Sequence, residues 1–227
     1  MILAVSLLGS CRYKSGSGNI ITEKRNTEAF KAISVGGGFE VELKQGAVTE
    51  VTVEADDNLM KYIKTDVNDG RLKIRLDDIN IHDAHLKVFV TAPEVNDIKA
   101  SAAATVEVKN GLKSDATIQL QASSGSEITT MLDAPKIVAD ASSGGELNLS
   151  GRTRDLKAEV SSGSSIHAKE LLSENAIVNA SSGGSAKVHA SVQLDAKASS
   201  GGNISYRGGA TVTKSVSSGG EVEKSGD

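Results

Sequence analysis

Apolar residues recur at every second position through most of the chain. Ile118-Leu120-Ala122, Ile137-Ala139-Ala141, Leu156-Ala158-Val160, Ala176-Val178-Ala180 and Leu194-Ala196-Ala198 follow this rule, and Val212 and Val216 continue it around Lys214. Successive side chains of a strand point to opposite faces, so period two predicts strands with one buried face. Each run ends in Ser-Ser-Gly-(Gly/Ser), and one apolar residue follows at a fixed offset: Ile128, Leu147, Ile166, Ala186, Ile204 and Val222. The six motifs begin at Ser123, Ser142, Ser161, Ser181, Ser199 and Ser217, in steps of 19, 19, 20, 18 and 18 residues. A strand, a glycine turn, a second strand and a return turn fill such a step at a rise of ~3.3 Å per residue, giving one flattened coil. Coils stacked ~4.8 Å apart predict an all-β fold, a parallel β-helix (β-solenoid) with coils of about 18–20 residues. Its thin core suits Ala, Val, Ile and Leu.

The first glycine of each motif, Gly125, Gly144, Gly163, Gly183, Gly201 and Gly219, stands at the corner. Positive φ, or close approach of the neighbouring coil, favours glycine there. If the alternation runs through the motif, the second serine points inward. A stacked row of buried serines, hydrogen-bonded along the ladder, is then expected. The alternative is a surface row of serines that binds a ligand.

Residues 19–99 lack the period but are strand-rich: Val41 and Leu43, Val51 and Val53, Leu72, Ile74 and Leu76, and Leu86, Val88 and Val90 alternate. Asp69-Gly70 between Val67 and Leu72 predicts a hairpin. Residues 57–63 form the one helix-like stretch, with Asp57 as its cap and Leu59, Tyr62 and Ile63 on one face. Ala100-Ser101-Ala102-Ala103-Ala104-Thr105-Val106 has the form of a degenerate first repeat. Residues 19–99 are therefore expected as irregular coils with one short helix, continuous with the repeat β-helix of 100–227.

The only cysteine, Cys11, ends the apolar run Ile2-Leu3-Ala4-Val5-Ser6-Leu7-Leu8-Gly9-Ser10. Leu-Gly-Ser-Cys resembles a bacterial lipobox, in which the preceding peptide is removed and the thiol carries diacylglycerol. The run is too short to span a bilayer. No Lys or Arg precedes it, although signal peptides carry a basic start. The expected organisation is a signal-peptide remnant at 1–10, then a lipid-anchor cysteine and flexible tether at 11–18. Arg12, not Asp, follows the cysteine, so inner-membrane retention is not indicated and an outer-membrane address is expected.

Several N-terminal segments are similar to one family. Gly18-Asn19-Ile20-Ile21-Thr22-Glu23, Phe30-Lys31-Ala32-Ile33-Ser34-Val35, Gly38-Phe39-Glu40-Val41, Val53-Glu54-Ala55-Asp56-Asp57-Asn58-Leu59 and Gly70-Arg71-Leu72-Lys73-Ile74, together with the Ser-Ser-Gly-Gly repeats, resemble the family described as putative auto-transporter adhesin, head GIN domain. The resemblance covers roughly residues 18–225. It implies a right-handed parallel β-helix in a secreted or lipid-anchored envelope protein of Gram-negative bacteria. It brings no catalytic residues.

The net charge of −4 shows no basic excess, so nucleic acid is not an expected partner. β-Helices also carry polysaccharide lyases and hydrolases, whose sites cluster acids with a base. Stacking would make neighbours of Asp140 and Glu159, and of Glu127 and Glu146. Carboxylates ~5 Å apart could share a cation or shift a pKa upward. Exposed acids at solvated positions are far commoner than such sites, and the chain has no Trp platform for a sugar. His82-Asp83-Ala84-His85, near Asp77 and Asp78, is the one metal-like cluster, and His167 and His189 lie in distant coils. The alternative there is a polar loop before a strand. No Ser nucleophile elbow is present. The expectation is a non-enzymatic, lipid-anchored envelope solenoid without metal or cofactor, binding an unidentified macromolecule (protein or glycan) as a monomer or weak oligomer. Two alternatives are a polysaccharide-processing enzyme and a periplasmic structural or stress-related protein.

Overall fold

The computed structural model describes residues 13–77 and 79–226. Nearly all strands join one 19-stranded sheet, wound into stacked coils, and a two-stranded sheet stands apart from it. The coils are β-solenoid turns with parallel pairing from residue 97 to the C-terminus.

The predicted column forms. Ile128 pairs with Leu147, Leu147 with Ile166, Ile166 with Ala186, Ala186 with Ile204, and Ile204 with Val222. It runs on beyond the repeats through Val106, Val41, Val88 and Val53. One core therefore fills the solenoid along its whole length, and each of these residues is buried.

The uneven step sizes have a structural meaning. The 19-, 19- and 20-residue coils hold the unbroken strands Glu127–Ala141, Glu146–Val160 and Ser165–Ala180, which bend around a third side. The 18-residue coils break there, between Ser185–His189 and Gln193–Ala198 and again between Asn203–Arg207 and Thr211–Val216. One or two extra residues per coil extend the third ladder.

The N-terminal residues join the same core, but not in chain order. The coil of strands Ala32–Val35 and Glu40–Gln45 lies between the 97–108 coil and strands Arg71–Leu76 and Leu86–Ala92. Beyond these, the stack is closed by antiparallel strands. Ile63–Asn68 folds back on Arg71–Leu76 through the predicted Asp69-Gly70 turn, with positive φ at both residues. Glu50–Asp56 pairs with Leu86–Ala92, and Ile20–Arg25 pairs with Glu50–Asp56. Reversal of strand direction ends parallel stacking, so this end is a cap.

Two local expectations are corrected. The helix at 57–63 shrinks to a 3-10 turn, Met60–Tyr62, without a side-chain cap. The Asp57 carboxylate instead accepts bonds from Ser17 Oγ (2.6 Å) and Asn19 Nδ2 (2.8 Å). Residues 13–18 are also not a loose tether. Tyr13–Ser15 pairs with Asn80–His82. Asn58 bonds Ser15 O and Ser17 N, and Asp56, itself buried, accepts from the Gly18 and His85 amides. The acids that hold this segment lie some 40 residues away in sequence, so local composition gives no sign of them.

Candidate binding surface

The Ser-Ser-Gly corners form one hydrogen-bonded edge. In each motif the second serine (Ser124, Ser143, Ser162, Ser182, Ser200, Ser218) and the following glycine both have positive φ, the signature of a type I′ turn. Two left-handed residues interrupt the pleat. The second serine is thereby turned outward, and these serines are exposed. The fourth residue of the motif points inward instead, which corrects the buried-serine expectation.

The fourth position tapers from Phe39 and Ala104 to Ser126, Gly145, Ser164, Gly184, Gly202 and Gly220, all but the last buried. A β-carbon at Gly145 would meet Ala122 O of the neighbouring coil at 2.3 Å. Where serine stands, its hydroxyl uses the carbonyl that would otherwise clash: Ser126 Oγ donates to Ala100 O (2.8 Å) and Ser164 Oγ to Ala141 O (2.7 Å). The turn opens to admit it. The closing N–H···O distance is 3.2 Å at Ala104, Ser126 and Ser164, and 2.8–2.9 Å at the four glycines. Both sequence-level reasons for glycine therefore hold, each at a different glycine. The first serines, Ser123 to Ser217, donate their amides to the coil before, and the first-glycine amides, from Gly125 to Gly201, donate to the second-serine carbonyl of the coil after. The motif is an architectural rail.

The two acid pairs do stack: Glu127 opposite Glu146 and Asp140 opposite Glu159. The first is bridged by Asn148, whose amide donates to Glu127 (2.9 Å) and Glu146 (3.1 Å), with His167 at 3.6 Å from Glu146. In the second, burial and then Glu159 raise the Asp140 pKa, partly opposed by Lys157, which pairs with Glu159 at 2.8 Å. The histidines of the 82–85 segment separate. His82 reaches Asp83 and Ser15, whereas His85 binds Glu54 at 2.8 Å. Among the described residues no group of three or more ligand-type side chains could hold a metal; Asp78 and Cys11 lie outside them.

The third side holds features that sequence reading did not single out. Two shallow recesses, about 540 and 450 Å³, adjoin there and share Asp133, Arg152 and Leu172. Arg152 grips Asp133 through two bonds (3.0 and 2.8 Å), which holds the Asp133 carboxyl below its usual range. Arg154 and His189 line the first recess. Met131, Leu172 and Val192 are each more than half exposed on this side. The uneven step of the repeat is the sequence signal that marks Met131, Arg152, Arg154 and Leu172, because the longer coils carry them, whereas His189 and Val192 lie at the break of an 18-residue coil.

Solved structures share the fold. A putative adhesin from Bacteroides fragilis NCTC 9343 superposes with a TM-score of 0.84 at 21% identity, over 93% of this chain and 98% of that one. A putative adhesin from Parabacteroides merdae ATCC 43184 gives 0.74 at 21%, over 95% and 100%. A protein from Parabacteroides distasonis ATCC 8503, described as a putative lipid binding protein, gives 0.78 at 20%, over 95% and 100%. Among curated proteins none matches the sequence. The family described as putative auto-transporter adhesin, head GIN domain, matches residues 29–210, from the capped N-terminal coils into the 18-residue coils, and the chain belongs to that family.

Proposed function

We propose that the protein is a lipid-anchored, non-enzymatic envelope protein that binds a macromolecular ligand on the third side of its solenoid. The carrying observation is the set of exposed apolar side chains, Met131, Leu172 and Val192, beside Arg152 and Arg154. A mixed apolar and arginine surface around shallow recesses has the make-up of protein-binding patches. Family membership supports a binding role at the cell envelope. The two stacked acid pairs support binding over turnover, since Asn148 bridges Glu127 and Glu146, and Lys157 pairs with Glu159 beside Asp140. Anchoring rests on the lipobox-like run ending at Cys11; among the described residues no helix is long and apolar enough to cross a membrane.

Labelling of growing cells with a palmitate analogue should mark the wild type and not Cys11→Ser. Protease shaving of intact cells should then remove the anchored protein. Label that persists in Cys11→Ser refutes the anchor. Full protection from protease in intact cells favours a periplasmic structural role instead.

A further inference from the structure

We propose that the capped N-terminal end of the solenoid rests on the lipid headgroups, so that the coils rise away from the membrane and the C-terminal coil is farthest from it. This rests on the reading of Cys11 as the anchor, and it follows from how the chain enters the fold. Tyr13–Ser15 is already a strand of the body, paired with Asn80–His82. Ser17 and Gly18 are fastened by Asn58, Asp57 and Asp56. Only Arg12 stands between Cys11 and Tyr13, and the two residue steps, fully extended, span about 7 Å. The headgroup layer is about 5–7 Å deep on each side of the hydrocarbon. A thiol-linked lipid therefore brings this end of the body to the headgroups and leaves no slack for it to stand off.

The surface that arrives there suits an anionic lipid interface. Tyr13 is 65% exposed. The Lys14 and Lys61 ammoniums lie 4.9 and 5.2 Å from the centre of the Tyr62 ring and hold its phenol below the usual value, the hydrogen bond from Lys14 being the larger cause. Neither lysine makes an ion pair among the described residues; Asp57 accepts from Ser17 and Asn19, Asp77 pairs with Arg75, and Asp83 with His82. Ile20 and Ile21, on the outermost strand of the cap, are 43% and 38% exposed. Tyrosine and lysine beside exposed aliphatic groups are the side chains that settle at a membrane–water boundary.

The height of the solenoid makes the orientation measurable. One ladder runs from Ile63–Asn68 through Arg71–Leu76, Ala32–Val35, Asp97–Ala100 and the repeats to Thr211–Val216. Its ten strands, ~4.8 Å apart, place the last about 43 Å from the first.

The test places a photo-crosslinking amino acid at Lys61, at Thr129 or at Thr213 of the lipid-anchored full chain in its own cells. After irradiation, phospholipid adducts should form from position 61 and be absent from 129 and 213. Lys14→Glu with Lys61→Glu, read from a crosslinker at Tyr13, should lose adduct to phosphatidylglycerol while palmitate label is retained. Equal adducts from 61 and 213, or palmitate-labelled protein with no adduct at 61, overturn the orientation. Absence of palmitate label indicts the anchor alone. In that case the orientation is decided on purified full chain coupled through its Cys11 thiol to maleimide-bearing vesicles of phosphatidylglycerol and phosphatidylethanolamine, with the same probes and the same expected ranking. Unequal depth at 61 and 213 in that setting upholds the orientation, and equal depth overturns it.

Discussion

Placing a β-carbon at Gly145 sets two effects against each other, and the corner geometry predicts which substitution is worse. The new atom would sit 2.3 Å from Ala122 O and 2.8 Å from Ser123 N. Neither can give way freely, because both belong to the ladder. Overpacking of this kind costs about 1–3 kcal/mol, and Gly145→Ala should show it in full. Gly145→Ser adds the same carbon with a hydroxyl that can donate to Ala122 O, as Ser126 and Ser164 do to their own neighbouring carbonyls. A net hydrogen bond returns about 1 kcal/mol. The opening it requires is visible in the molecule, where the closing bond is 3.2 Å at both serines and 2.9 Å at Gly145. Serine should therefore be the milder substitution by about 1 kcal/mol, or about 2–4 °C in melting temperature for a domain of this size. Urea unfolding and thermal melts of the full chain, followed by far-UV circular dichroism, measure it. If Gly145→Ser proves as damaging as Gly145→Ala, or more so, the inward hydroxyl does not support the corner and the reading of the fourth position is wrong.

Other consequences are open to simpler tests. Leu147→Asp, which buries a charge between Ile128 and Ile166, should cost several kcal/mol, whereas Glu159→Ser, losing an exposed pair with Lys157, should stay within about 0.5 kcal/mol; equal melting temperatures would show the faces to be misassigned. The Asp140 carboxyl is raised by burial and by Glu159, so its stabilising contribution is present at low pH and is lost as pH rises through its folded value. Asp140→Asn should therefore melt higher than wild type at pH 7, by less than about 4 °C for a partly solvated pair, and equally below the ordinary carboxylate range; a gain at low pH instead would contradict the sign. The last strand, Glu221–Lys224, pairs with Asn203–Arg207 and carries charge on both sides of Val222. Replacing Glu221, Glu223 and Lys224 by Val, Thr and Val should cause concentration-dependent association, and light scattering that matches the wild type would remove the role of those charges in guarding the edge.

The repeated half was legible because its register is local. A fixed step and period-two alternation determine which residues stack, and Ile128 to Val222 do so. The inward serine was missed because the type I′ turn takes two residues out of the pleat, which shifts the inward position from the second to the fourth residue of the motif. Alternation also identified the N-terminal strands but not their order. Ala32–Val35 meets Asp97–Ala100 across more than 60 residues, and parallel pairing between such distant strands leaves no local trace. The same reason hid the fastening of residues 13–18 by Asp56, Asp57 and Asn58. Gly-Ser composition suggested slack, but the bonding partners were remote. Both acid pairs were found by counting coils. The third side was encoded only in whether a step had 18 residues or 19–20.

The claim that this solenoid works by binding and not by turnover is tested most directly with purified protein on an array of mucin-type glycans, polyuronates and immobilised collagen and fibronectin, with calcium present and absent. Retained protein and released product are measured on the same spots. The predicted result is saturable retention on at least one probe, weakened by Leu172→Asp on the third side, with no reducing ends or unsaturated sugars released. Release of such products, abolished by Asp140→Asn or Glu159→Ser, would contradict it and make the stacked acids an active site.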